Sequence, residues 1–403
     1  MNKNKFFPMT AAAACFVFLA VVSCNSMANS GLGGKLQILS PEVYTIKTPQ
    51  AGNYPQGLYK YPYRGESLAD ELFTQTLKWE PAVHKTFDKD TQYTAILKLD
   101  PADRKRTFKE LSVNDVKGLP TDGVTSITAE NENDSLVIKI VFEKTAETNA
   151  EAKIIFSDEF DGNSLDQTKW GLCPEWDRQG RSSWRDDMVS VSGGLLRIKL
   201  TRDPALGKTK SGKKEVRDNW IRTGGIRTQK KDRYTLFDNS FGFYEARIKF
   251  PKVEGTWGAF WLMSPTQHIL TDVGIIGTEI DIVETIENPK NAYNAALHWN
   301  GYGDKHKSTG SDSSKLPAVN IYDGEFHTFA VDWSPSEYVF YVDGEIFWRV
   351  DGGAKFNNSG INQNPNYIKL TVESAEWAGK IPANFTEDEM LVDYVRVYNQ
   401  PRY

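Results

Sequence analysis

Cysteine is scarce in this chain, with three in 403 residues. Cys15 and Cys24 fall in the first residues, so Cys173 stands by itself in the body of the chain and the fold is expected to lack an internal disulfide. No Cys–His pattern surrounds Cys173, which argues against a thiol nucleophile. Histidine is also scarce, with five. His84, His268 and His306 have no company that suggests a ligand set, so a catalytic metal is not expected. There is no long basic run, and the net charge is −5, which argues against nucleic acid as a partner. Helical periodicity is almost absent from Ile154 onward.

What the chain does have is apolar and aromatic mass. Hydrophobic residues make up 39% and charged residues 25%, enough for a packed core with a wet surface. Of the 11 Trp and 17 Tyr many are expected on surfaces or in clefts, where an apolar ring with a wet edge can meet a sugar's C–H face; a place in the core for most of them is the alternative. Met1 to Ser23 reads as an export signal: Lys3 and Lys5 lead an apolar run, Ala11 to Val22, too short for a spanning helix. The run closes on Val21-Val22-Ser23-Cys24, which resembles a bacterial lipobox with Cys24 as the lipidated residue; plain secretion is the alternative. Lipidation implies a membrane partner through an acyl anchor and a place in the cell envelope of a bacterium.

Residues 24–41 are polar and Gly/Ser-rich, a tether. Residues 42–144 carry strand composition at Leu77–Trp79, Tyr93–Leu99, Val124–Thr128 and Leu136–Phe142, separated by turn residues. They predict a small accessory β-sandwich of immunoglobulin-like size. Such a module is a spacer or a carbohydrate binder; spacer is favoured because no exposed aromatic row is evident. Residues 145–153 form a linker, and 154–403 read as a second all-β domain of short strands and frequent turns.

That second domain is organised around Gly277-Thr-Glu-Ile-Asp-Ile-Val-Glu284. Ile280, Ile282 and Val283 are β-formers. Side chains two apart share a face, so Glu279 and Asp281 point together while Glu284 points away. A β-bulge near Ile282-Val283 would turn Glu284 back to join them. Like charges this close are unfavourable on a strand, and they drive carboxylate pKa values apart. A retaining glycosidase uses such a pair, one ionised and one protonated, about 5–5.5 Å apart. An ordinary solvated strand would mix in Lys or Thr.

Glu279-Ile-Asp-Ile-Val-Glu284 resembles the bulged signature of glycoside hydrolase family 16, on its laminarinase, agarase and endo-galactosidase side. Other stretches match in order: Phe156-Ser-Asp-Glu-Phe-Asp-Gly162 with Leu165-Asp-x-x-Lys-Trp170, Phe241 to Pro251, Gly255 to Met263, Phe326 to Trp333, Tyr341 to Gly344 and Val392 to Tyr398. The resemblance covers about residues 154 to 399 and implies a β-jelly-roll sandwich of the concanavalin A-like kind, with a cleft that binds a polymer along its length. It implies Glu279 as nucleophile, Glu284 as acid/base and Asp281 between them. Trp257 and Trp261 would line the sugar site, with a core role for Trp261 as the alternative. His298 would bond Asp281 or Glu284, and His327 is structural. Glu159 and Asp393 match positions that often hold a structural calcium ion in the family; two acids at an ordinary edge is the alternative. No cofactor is implied for catalysis.

Two departures bear on substrate. Laminarinases usually carry Asn-x-Glu-Leu-Gln-x-Tyr after the opening strand, where this chain has Ser182-Ser-Trp-Arg-Asp-Asp187. They carry Asn-x-Ala-x-Gly-Gly-x-Trp late in the chain, where this one has Leu370 to Gly379. Trp184 and Trp377 would be new stacking surfaces, and Arg185 would reach a hydroxyl, carboxylate or sulfate. The departures resemble galactan-directed members, including those acting on mucin-type host glycans. The expected protein is a monomeric retaining endo-glycosidase, favoured as an endo-β-galactosidase acting on a polysaccharide or host glycan. An endo-β-1,3-glucanase is the alternative, and a noncatalytic glycan-binding lipoprotein is the rival from another class, though a pure binder has no need of three carboxylates.

Overall fold

The structure is a computed structural model that describes residues 27–29, 35–43, 46–57, 59–60, 72–146, 153–178, 181–202, 220–270, 273–285, 293–312, 316–352, 360–375 and 378–403. The export signal and Cys24 lie outside the described residues, as does most of the linker.

Strict alternation builds the N-terminal unit. Phe73–Glu80 alternates buried and solvent-facing side chains, the period of a half-buried strand. It pairs antiparallel with Gln92–Pro101, which pairs with Ser135–Lys144 and through it with Val124–Glu132; Tyr59–Lys60 completes a five-stranded sheet. All four predicted strand stretches lie in this sheet. The rest differs from the immunoglobulin-like expectation of two sheets sharing seven strands. Among the described residues the second sheet is three short strands, Met27–Asn29, Leu36–Ile38 and Arg106–Thr107, the last pair parallel. That sheet also corrects the predicted tether. Within Leu36-Gln37-Ile38, Ile38 is buried in one core with Leu77, Leu97 and Phe108.

The second domain is a sandwich of a seven-stranded and an eleven-stranded sheet. The seven-stranded sheet positions the site. Its strands in chain order are β1 (Gly171–Leu172), β2 (Gly225–Arg227), β3 (Thr256–Met263), β4 (Thr278–Thr285), β5 (Tyr293–Trp299), β6 (Lys307–Gly310) and β7 (Tyr367–Ser374). In space they run β1-β2-β7-β3-β4-β5-β6, antiparallel throughout. One face is apolar: Ile226, Phe260, Leu262, Ile280, Leu297, Ile368, Leu370 and Val372 all join the core shared with the other sheet. Period 2 then sends Trp257, Trp261, Glu279, Asp281, His298, Lys369 and Glu373 to the opposite face.

In the eleven-stranded sheet the opening strand Ile154–Asp158 pairs with the closing strand Glu387–Tyr398. The opening motif is structural: Trp170 donates its indole N–H to Asp158 at 2.8 Å, and Phe160 donates its backbone N–H to the same carboxylate at 3.0 Å. Glu159 and Asp393, the pair matched to a calcium position, are each engaged by a different guanidinium. Arg396 holds Glu159 through two bonds of 2.9 and 2.7 Å, and Arg247 donates to Asp393 at 2.7 Å. The geometry therefore favours ordinary edge acids in ion pairs.

A segment assigned to the accessory domain belongs physically to the catalytic one. Tyr54 sits in the large core, and its hydroxyl donates to Asp332, itself fully buried, at 2.7 Å. Lys85 reaches the other Asp332 oxygen at 2.7 Å. Tyr54 N–H donates to Asn399 O at 2.9 Å, and a Cβ on Gly57 would stand 2.2 Å from the Gln363 carbonyl, so only glycine fits this close approach. Tyr54→Phe removes one of the two groups that satisfy a buried carboxylate. It should cost about 1–3 kcal/mol, read as a lower denaturant midpoint; an unchanged midpoint would show that the contact contributes nothing.

Candidate active site

The bulge is where the sequence places it. On one side Phe260 pairs with Val283 and Trp261 with Asp281, so Ile282 is skipped. On the other, Asp281 opposes Ala296 and Glu284 opposes Asn294, two residues against one. The extra residue returns Glu284 to the face of Glu279 and Asp281. Register then lays out two rows across the sheet. Arg227, Lys369, Trp261, Asp281 and Ala296 form one; Gly225, Thr371, Ala259, Glu284 and Asn294 form the other.

All three carboxylates are buried, and each has its own neighbours. The Tyr302 hydroxyl donates to Glu279 Oε2. His298 Nε2 lies 3.3 Å from Asp281 Oδ2. Trp257 donates its indole N–H to Glu284 Oε1 at 2.8 Å, and Asn294 donates to Glu284 Oε2 at 3.3 Å. Burial, reinforced by the charge on Asp281, pushes Glu279 up to about 7. His298, the Tyr302 bond and Lys369 hold it from rising further. Burial and Asp281 push Glu284 well above the usual carboxylate range. Burial opposes a charge on His298, yet its hydrogen bond to Asp281 and the surrounding carboxylates outweigh burial and lift it to about 9. The outcome is an ordered site: Glu284 keeps a proton most tightly, Glu279 gives its proton up sooner, and His298 carries the compensating positive charge.

Glu279, Asp281 and His298 bring donor atoms within 4.8 Å of one another, the one cluster of metal-binding type among the described residues. Asp281 and His298 already face each other, and Tyr302 occupies Glu279, which is the arrangement of a proton network.

Beside the carboxylates, β7 contributes Lys369 and Glu373. Lys369 is only 7% exposed and stands 3.6 Å from the Trp261 ring centroid and 5.3 Å from that of Trp184. Burial lowers its pKa to about 8. Glu373 is paired with Arg178 at 2.9 Å. The Trp261 indole N–H donates to Thr371 at 3.0 Å, so this ring is both buried and on the site face.

Trp184 departs from expectation. It is 1% exposed and donates its indole N–H to the Val372 carbonyl at 3.0 Å, so it cannot offer a stacking face. The outer ring is Trp176, 50% exposed, stacked on Trp184 with Arg178 over both. Sequence reading passed over Trp176 because no motif contains it. Arg185 is turned to Asp177 at 3.2 Å and to its neighbour's carbonyl, an ion pair rather than a free donor. Trp377 lies outside the described residues. Cys173 is buried, which raises its thiol pKa and suits no nucleophile. His327 bridges Asp343 and Asp323, a structural role as expected. His306, which had no company in sequence, meets His298 across a hairpin at 3.0 Å.

A family model described as beta-porphyranase A–D, GH16 domain, matches residues 152–400. This chain belongs to glycoside hydrolase family 16. The beta-glucanase of Rhodothermus marinus is 24% identical over 261 residues, 61% of this chain and 85% of the relative. The keratan-sulfate endo-1,4-beta-galactosidase of Sphingobacterium multivorum is 28% identical over 262 residues, 62% of this chain. The chain spans little more than half of that relative, 56% of its length. Among solved structures, the catalytic domain of an endo-1,3-beta-glucanase (laminarinase) from Thermotoga petrophila RKU-1 has a TM-score of 0.50 at 22% identity, covering 62% of this chain and 99% of its own. This likeness supports the jelly-roll fold. The chain is thus a family 16 glycoside hydrolase of the retaining class.

The protonation order predicts a bell-shaped kcat/KM profile. Activity falls on the acid side as Glu279 takes up a proton, with that limb raised toward pH 7, and on the basic side as Glu284 loses its own. The two limbs belong to the coupled group. An acidic limb at the ordinary carboxylate value of about 4.3 would show that burial does not hold the site as described.

Proposed function

We propose that this enzyme is an endo-β-galactosidase that cuts internal β-galactosyl bonds, with a β-galactan as the first candidate substrate and a mucin-type glycan as the second. The match of residues 152–400 to a porphyranase domain family carries this reading. The site supports it. Lys369 presents its ammonium between two indole rings with no hydrogen-bonded acceptor among the described residues, and Arg178 lies beside it over Trp176. A cationic floor of this kind suits an oxygen-rich or anionic sugar better than a plain glucan.

In this mechanism Glu279 attacks the anomeric carbon while Glu284 donates its proton to the leaving oxygen. Glu284 then takes a proton from water, which attacks the same carbon and frees Glu279. Asp281 and His298 set where the protons sit. The chemistry needs no cofactor. Lipid attachment at Cys24 in a bacterial envelope is part of the same proposal, supported by Val21-Val22-Ser23-Cys24; Cys24→Ser should move the protein from the membrane fraction to the soluble one.

The test is a product screen of the mature chain on agarose, porphyran, keratan, mucin O-glycans, laminarin and mixed-linkage glucan, resolved by mass. Oligosaccharides with galactose at the reducing end are expected. Glucose oligomers from laminarin would overturn the galactosidase reading while leaving the family intact. Glu279→Gln should abolish turnover on the active substrate with the fold unchanged by circular dichroism; substantial residual activity would mean another group is the nucleophile.

A further inference from the structure

After β5 the chain turns back through residues 300–306 before β6. Asn300 and Gly301 take left-handed φ values of 66° and 74°. The turn is tied down. Gly301 N–H donates to Gln267 O at 2.9 Å, the Gln267 side chain donates to Gly301 O at 3.2 Å, and Asn300 donates to Lys305 O at 2.7 Å. Two side chains are thereby delivered to the site: Tyr302 to Glu279, and His306 to His298, with the two imidazoles parallel within 7°. Among the described residues neither contact involves Glu284, so this hairpin bears on the nucleophile's half of the site.

We propose that Tyr302 is a positioning residue for the nucleophile, holding one oxygen of Glu279 so that the carboxylate stays ionised and presents the other to the anomeric carbon. The inference rests on Glu279 as nucleophile and not on which sugar is cut. With Oε2 engaged, Oε1 is left to form the new C–O bond, as the bond to the leaving oxygen breaks and that oxygen takes the Glu284 proton. The phenol bond is stronger to the anion than to the resulting ester, so it also favours departure of Glu279 in the second step. The groups that face Glu279 are Asp281 and Glu284 on its own strand, His298 on β5, Tyr302 on the hairpin, and Lys369 and Tyr367 on β7. Among these, Tyr302 is the neutral group that donates to Oε2. His306 acts one step further out: with His298 charged, its Nδ1–H donates to His306 Nε2, which orients the imidazolium against Asp281.

The experiment is Tyr302→Phe in the full chain, assayed on the polysaccharide found active, beside Glu279→Gln as the inactive reference. Tyr302 is an exposed residue, so Tyr302→Phe is expected to fold. A fall in kcat of about 10- to 100-fold is expected, the range of a charged hydrogen bond. KM should change little, and the acidic limb of kcat/KM should move to higher pH, because loss of the donor favours protonated Glu279. An acidic limb that stays in place, whatever the loss of rate or melting temperature, would reduce Tyr302 to a structural anchor and overturn the proposal. A loss confined to KM would make it a sugar-stacking ring and also overturn it. If Glu279→Gln keeps activity in the same assay, the fault lies with the nucleophile assignment and the proposal falls with it.

Discussion

Three carboxylates share one face of one buried strand, and the rest of the site answers that crowding. A one-residue bulge at Ile282 creates the problem by turning Glu284 toward Asp281. Burial, with the charge on Asp281, pushes Glu279 up to about 7 and so toward its neutral form. Unanswered, burial and mutual repulsion would favour the protonated form of both glutamates and leave no nucleophile. His298 counters this at both glutamates; around Glu279 the Tyr302 bond and Lys369 add to it, whereas the hydrogen-bond donors to Glu284 among the described residues are the neutral Trp257 and Asn294. The asymmetry of neighbours, rather than any difference between two glutamates, separates an anion from an acid.

Much of this was legible along the chain. The period-2 acids from Glu279 to Asp281 can only share a face, and the odd offset of Glu284 demands an extra residue, so strand, bulge and grouping follow from local rules. Trp257 and His298 were legible for a related reason: each lies on a strand directly beside the acidic one, and hairpin order brings it within reach. The four accessory strands also declared themselves by alternation.

What sequence did not yield depends on distant contacts. Trp184 looked like an open ring, but the Val372 carbonyl of the opposite sheet takes its indole N–H and Trp176 stacks on it. Lys369 lies in a run of β-formers that gives no hint of a site, and only its register with Trp261 and Asp281 reveals it. Tyr302 and His306 sit in a turn whose shape is fixed by Gln267, more than thirty residues earlier. The one local signal was the Asn300-Gly301 pair, a turn marker that says where the chain reverses and not what the turn delivers. The sequence reading of Glu159 and Asp393 did not include their partners Arg396 and Arg247, although Arg396 is three residues from Asp393 in sequence.

The Tyr54–Asp332–Lys85 contact bears on how this enzyme can be recombined. A chain cut at the start of the matched family domain would leave Asp332 buried in a sandwich stripped of both its partners, and a hole where the Tyr54 ring had been. The two β units are therefore poor candidates for free shuffling: a foreign module spliced at the linker would not bring a Tyr54 or a Lys85. Any lineage that exchanges the front module must either keep both Tyr54 and Lys85 or change Asp332 to an apolar residue at the same time. The contact spans the linker, so the seam for dissecting or grafting this protein does not lie where composition marks it, at residues 145–153.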